Sequence, residues 1–168
     1  MARKNGVSVV PDCGLMPGLG VMIARKLVYE SLQDEPDLNA PREVTIYVGG
    51  LPQKPVGPVH YQKMFSLEGL KHLCFDDAPI LNEGRVVFVP PLTGHSFMTV
   101  KELAPFSPKE NGAKDGLVET FITAGASIAP WSFQKIGVSS LSEMTVRWPG
   151  FVGMVSEIEE ADFEDVIG

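Results

Sequence analysis

Val7-Ser-Val-Val-Pro-Asp-Cys-Gly-Leu-Met-Pro-Gly-Leu-Gly20 runs directly into an apolar-periodic stretch from Val21 to Leu32. The β-like run Val7 to Val10 is closed by Pro11 and enters a turn holding Gly14, Pro17, Gly18 and Gly20. A helix is expected to leave it. Such a junction brings the backbone close to a ligand and aims a helix N-terminus at it. Asp12 and Cys13 sit at its tip.

The helix carries apolar residues at Val21, Met22, Ala24, Leu27, Val28 and Leu32, with Arg25, Lys26, Glu30 and Asp34 on its other side. Segment 34–41, with two prolines, reads as a turn-forming linker. Residues 42–50 read as a strand, since Val44, Ile46 and Val48 alternate with Thr45 and Tyr47. The stretch from Leu51 to His60 holds three prolines and a glycine and is expected to be a long loop or arm. Ser66 is placed to cap a short helix through Leu67, Leu70, Leu73 and Cys74, with Glu68 in its first turn.

Further strands are expected over 85–89, 96–100 and 117–123, with segment 107–116 a polar surface loop. From Leu141 to Trp148 the chain alternates, with Met144, Val146 and Trp148 on one face and Glu143, Thr145 and Arg147 on the other. Pro149 is suited to open a final helix, and the acidic tail from Glu157 to Asp165 reads as amphipathic or frayed. After the first strand–helix unit the strands are not separated by long helices. The pattern therefore favours an α+β fold with a mixed sheet of five or six strands over a doubly wound one. All 168 residues fit a single domain.

Fourteen Lys and Arg against 21 Asp and Glu give a net charge of −7. With no basic stripe, nucleic acid is a poor partner. No apolar run approaches the roughly 20 residues of a membrane span, and no secretory signal follows the first cations. Two cysteines, Cys13 and Cys74, do not make a disulfide scaffold, so a reduced, cytoplasmic setting is the simpler reading. His60, His72 and His95 show no ligand spacing, and no metal site is expected.

The opening turn superficially matches a dinucleotide-binding junction, but its glycines fall as G-x-x-x-G-x-G. No acid ends the second strand, where Val48-Gly49-Gly50 stands instead. A glycine turn needed only for tight packing accounts for it as well. Cys13, just before a helix, has the setting of a lowered thiol pKa, yet no histidine base is in evidence and an inert thiol is the commoner case. Arg147 is the sharper candidate, because a planar, permanently charged guanidinium clamps a carboxylate. A salt bridge to Glu119 or Glu143 explains it equally. Thr123 shares a face with Glu119 and can add polar contacts. Tyr61 can orient a ligand through its hydroxyl, or simply pack its ring.

Taken together, Pro11 to Gly18, Ile46-Tyr-Val-Gly-Gly-Leu-Pro52, Tyr61 with Phe65-Ser66, Phe121-Ile-Thr-Ala-Gly125 and Thr145-Val-Arg-Trp-Pro-Gly150 resemble the C-terminal domain of the saccharopine dehydrogenase and lysine dehydrogenase family. Phe65-Ser66 stands where that family has Trp-Ser. The resemblance covers residues 8–155. It implies a mixed-sheet substrate-binding and dimerisation domain of an NAD(P)-dependent oxidoreductase acting on lysine, saccharopine or a related amino acid. It also implies that Asp12 and Cys13 belong to the catalytic cleft and that Pro17 and Gly18 face the nicotinamide. Tyr61, Ser66, Thr123 and Arg147 would line the amino-acid pocket, with Arg147 on a carboxylate. The N-terminal Rossmann domain is expected from a segment or subunit outside this chain, in cis or in trans. No cofactor is expected on this chain alone, because orienting cofactor against substrate is what the missing domain supplies. A second reading is a stand-alone, non-catalytic amino-acid-binding or assembly module. In it the exposed sheet and the 51–60 arm form a homodimer interface.

Overall fold

The computed structural model describes residues 2–34, 41–57, 59–61, 66–103 and 116–167. Most of the expected linker (35–40), most of the polar loop (107–115) and Phe65 lie outside the described residues.

The elements with a bearing on the site are α1 (Leu19–Asp34), β1 (Glu43–Val48), α2 (Leu67–Phe75), β2 (Ala78–Asn82), β3 (Arg85–Val89) and β4 (Ser96–Thr99). After the short helix α3 (Val100–Leu103) come β5 (Leu117–Ile122), α4 (Ala129–Gln134), β6 (Ser140–Arg147), α5 (Phe151–Val155) and α6 (Phe163–Ile167). Six strands form one mixed sheet, as the α+β reading expected. Its order is β3-β2-β6-β5-β4, with β1 joining β6 from the other edge.

β6 organises the sheet. Along one edge it pairs in parallel with β1, from Glu43 opposite Ser140 to Val48 opposite Thr145. Along the other it meets β2 at Leu81–Leu141 and β5 from Ile122–Met144 to Glu119–Arg147, both antiparallel. A strand bordered on both edges by partners is the interior of the sheet, and its residues are buried on more than one side.

Three sequence expectations change. Val7 to Val10 is not a strand: Val10 is 73% exposed, and the segment pairs with nothing among the described residues. β-branched residues favour a strand only where a neighbouring strand completes the ladder. The opening is thus a turn leading into a helix, and its one ladder contact is the bridge Gly14–Gly18. Second, β2 and α4 were not foreseen. β2 and β3 form a hairpin around Glu83 and Gly84, both at positive φ (47° and 74°) as a tight primed turn demands. α4 opens with a proline in its first turn, where the missing N–H costs nothing. Third, α1 buries a narrower stripe than its periodicity promised. Ala24 and Val28 are buried, while Met22 and Leu27 face outward. The polar side of β6 is the covered side of the sheet. Glu143, Thr145 and Arg147 are all buried there.

Two apolar clusters cover that face. One joins α1 and α4 to β2 and β6 through Ala24, Val28, Leu81, Ala129, Phe133, Val138 and Leu141. The other gathers Val59, Tyr61, Leu70, Cys74, Phe121, Phe151, Val155 and Phe163 from α2, β5, α5 and α6. The 51–60 arm is irregular, as its prolines required, but it is anchored: Trp148 donates its indole N–H to the Pro52 carbonyl at 2.9 Å, and Val59 is fully buried. Phe133 is fully buried in the first cluster. Phe133→Ala should lower stability by about 3–5 kcal/mol in urea unfolding; a loss below about 1 kcal/mol would show that this cluster does not hold the helix layer to the sheet.

Candidate functional site

Between the two clusters the sheet is not covered by apolar side chains. There a cleft of about 430 Å³ opens, lined by Leu15, Met16, Val48-Gly49-Gly50, Tyr61, Leu73, Thr123, Gly125, Glu143, Thr145 and Arg147. The strand alternation explains its floor, since residues 143, 145 and 147 of β6 share one face and Thr123 extends β5 beside them. Gly49 is required by close approach. A Cβ there would meet the Val146 carbonyl oxygen at 2.8 Å and its Cβ at 2.9 Å.

Arg147 is 4% exposed. Its guanidinium carbon lies 4.4 Å from the Tyr61 ring centre and 5.4 Å from that of Phe151, whose ring is in turn stacked on Phe121. One terminal nitrogen donates to the Val146 carbonyl at 2.8 Å, and Nε, buried, has no partner. The ion pairs among the described residues are Lys26–Glu30, Lys71–Glu160, His72–Asp76 and His95–Glu119, and Arg147 is in none of them. Glu119, opposite Arg147 in the ladder, is committed elsewhere, accepting from the Val152 amide at 2.8 Å and facing His95 Nε2 at 2.9 Å. The salt-bridge alternative for Arg147 is therefore not realised. Burial lowers its pKa, against the opposing pull of Tyr61, Cys74 and Glu143. A buried cation normally has an anion beside it. This one has aromatic faces and an open cleft.

Glu143 is 1% exposed. Thr123 Oγ1 donates to its Oε2 at 2.8 Å and Thr145 Oγ1 to its Oε1 at 3.1 Å, while the two hydroxyls lie 3.0 Å apart. Burial pushes its carboxyl up to about 7, against the lowering effect of both hydroxyls and of Arg147. Sequence reasoning treated Glu143 only as a possible partner of Arg147. No sequence signal pointed to it, because the apolar Met144 and Val146 alternating with it read as the covered face.

The other sequence candidates fall into two places. Tyr61, Thr123 and Arg147 are brought together around the cleft. Tyr61 packs edge-on against Phe151, and burial raises its pKa. Ser66 is not among the lining residues. It is exposed and accepts from the Gly69 amide at 3.0 Å as the N-cap of α2. Asp12, Cys13, Pro17 and Gly18 border a separate hollow of about 350 Å³, with Ile128 and Ser132 across it. Asp12 accepts from the Ser127 hydroxyl at 3.0 Å, and Cys13 is exposed and free. Leu15 and Met16, between these residues, form one wall of the main cleft, so the turn divides the two spaces. The amides that open α1 are occupied: Leu19 and Gly20 donate to the Gly14 and Leu15 carbonyls at 2.9 Å each. The turn is closed on itself and does not present those amides to a phosphate.

Cys74 is buried and its thiol is pushed up to about 12, which leaves it protonated and inert. Among the described residues no group of three or more His, Cys, Asp or Glu could hold a metal ion, and no helix is long and apolar enough to cross a membrane.

No protein-family model matches the chain. Its structure is similar to that of apo saccharopine dehydrogenase (L-Glu forming) from Saccharomyces cerevisiae, with a TM-score of 0.58 and 18% identity. The similarity covers 90% of this chain and 32% of that one. That likeness establishes the fold. The chain thus spans about a third of the length of the enzyme it matches.

The Glu143 carboxyl generates a testable pH dependence. An acid with a higher pKa folded than unfolded binds more protons in the folded state between the two values, so stability falls as pH rises there. The window runs from 4.5 to about 7, and the loss is on the order of 3 kcal/mol. Glu143→Gln, compared with the wild type by urea unfolding across that range, should lack this part of the decline. An identical decline in both proteins would show that Glu143 ionises as freely folded as unfolded.

Proposed function

We propose that this chain is the substrate-binding and dimerisation domain of an NAD(P)-dependent oxidoreductase acting on the CH–NH group of lysine, saccharopine or a related amino acid. The observation that carries the reading is the Arg147 guanidinium: buried, without a carboxylate partner among the described residues, and bordering a cleft that Tyr61 and Thr123 also line. The fold likeness to saccharopine dehydrogenase supports it, as do the sequence motifs shared with that family.

In this reading Arg147 takes the substrate carboxylate. Among the described residues its guanidinium commits one donor, to the Val146 carbonyl, and the aromatic rings hold the plane in place without competing for a carboxylate. Burial of the guanidinium lowers the local dielectric and strengthens that contact. NAD or NADP, carried by a Rossmann domain or subunit in cis or in trans, supplies the hydride acceptor or donor. On this chain, Pro17 and Gly18 would face its nicotinamide end. Asp12 and Cys13 line the same hollow, which Leu15 and Met16 separate from the cleft. Cytoplasmic placement accompanies the reading.

The outer surface of α1 favours an assembly role as well. Leu19, Met22, Ile23 and Leu27 are spaced along one side of the helix and more than half exposed. An apolar stripe of this kind marks an interaction surface. In the first reading it meets the Rossmann domain or a second copy. In the alternative it serves a stand-alone amino-acid-binding or assembly module without catalysis. Mixing the chain with a separately produced Rossmann partner separates the two, and recovery of dehydrogenase activity would contradict the non-catalytic module.

Arg147→Met should weaken binding of an amino-acid carboxylate by at least about 30-fold in calorimetric titration, with the fold retained by circular dichroism. Unchanged affinity would remove Arg147 from the site.

A further inference from the structure

The cleft holds two buried charges of opposite sign that do not pair with each other. Among the described residues Arg147 has no anion in an ion pair with it, and Glu143 accepts from two hydroxyls but pairs with no cation. An ionised carboxylate offers about four acceptor positions. Thr123 and Thr145 have one proton each and also lie against one another, so at least two positions remain open. The wall beside Oε2 is glycine: a Cβ at Gly125 would sit 3.1 Å from that oxygen, so a larger residue there would crowd the carboxyl. Both charged residues line the same space.

We propose that Glu143 is the second half of the recognition pair, binding a cationic nitrogen on the same ligand whose carboxylate Arg147 holds. This rests on the assignment of Arg147 to a ligand carboxylate. The two residues stand four apart on β6, their Cα atoms about 13 Å apart, and no ion pair among the described residues joins them. Arg147 is tied back to the neighbouring Val146 carbonyl, while Glu143 is tied across to Thr123. The ligand therefore carries its positive nitrogen on a different part of the molecule from its carboxylate.

The groups facing Glu143 give the site a proton linkage. Thr123 and Thr145 donate to it, and Arg147 is the charged group with a resolved effect on it. Tyr61, across the cleft with its pKa raised, stays neutral near pH 7. With the cleft empty, the Glu143 carboxyl keeps its proton through mildly acidic pH. A bound ammonium favours the carboxylate, so the proton leaves to solvent as the ligand enters. Affinity should then rise with pH up to about 7 and level off above it.

Calorimetric titration of the full chain with 6-aminohexanoate and with hexanoate tests this, using buffers of different ionisation enthalpy to count protons. Wild-type protein should bind the amino compound at least about 10-fold more tightly at pH 7.5, and near pH 6 should release part of a proton on binding it. Glu143→Gln should abolish that advantage and the proton release while leaving hexanoate binding intact or strengthened. Arg147→Met should weaken both ligands. An amino advantage that survives Glu143→Gln would overturn the role of Glu143 and leave Arg147 in place. Failure of both compounds to bind wild-type protein would overturn the carboxylate site itself, and this proposal with it.

Discussion

The structure depends on β6 burying a charged face. Glu143, Thr145 and Arg147 project from the central strand of the sheet into the layer where helices pack, a position usually filled by apolar side chains. Taking a carboxyl and a guanidinium out of water costs several kcal/mol per ion unless the geometry repays it. Two features limit the cost. The helix layer parts above the strand, so both groups border an open cleft rather than solid core. The Arg147 guanidinium also lies against Tyr61 and Phe151, whose faces attract a cation.

The rest of the fold is arranged around that gap. One cluster fastens α1 and α4 over the start of β6, and the other fastens α2, α5 and α6 beside its end. Each is an ordinary apolar core of buried Leu, Val and Phe side chains. The opening turn fills part of the space between them with Leu15 and Met16, and the Gly49-Gly50 step after β1 lets the chain pass close over Val146. The cleft is thus walled by short segments whose conformations depend on glycine. At Gly18, with φ at 140°, a Cβ would collide with the Gly14 backbone. No other residue fits there without moving the turn.

Much of the fold was legible in the sequence, for local reasons. β1, β3, β4, β5 and β6 announce themselves by alternation or an apolar run, and Ser66 caps α2 where its spacing from Glu68 and Leu70 placed it. β2 was hidden because it is five residues long and contains Pro79. α4 was hidden because Ala-Pro-Trp-Ser carries no helical periodicity before it packs. The valines at 7–10 misled because strand propensity is a property of a pair of strands. At the site, the residue types that bind charge were visible, and Tyr61, Thr123 and Arg147 do converge. What was not visible is which face of β6 the helices cover. Polar alternation reads as a solvated face, and only the long-range packing of α1, α2, α4 and α5 reverses it.

The central claim is that the Arg147 guanidinium is an unoccupied carboxylate site. The most direct measurement is the ¹⁵N-detected resonance of its Nε–H, titrated with a ligand carboxylate. A saturable shift is predicted for this one arginine as its guanidinium gains an acceptor, with the other arginine side chains unmoved. A resonance that stays in place while the ligand binds would contradict it.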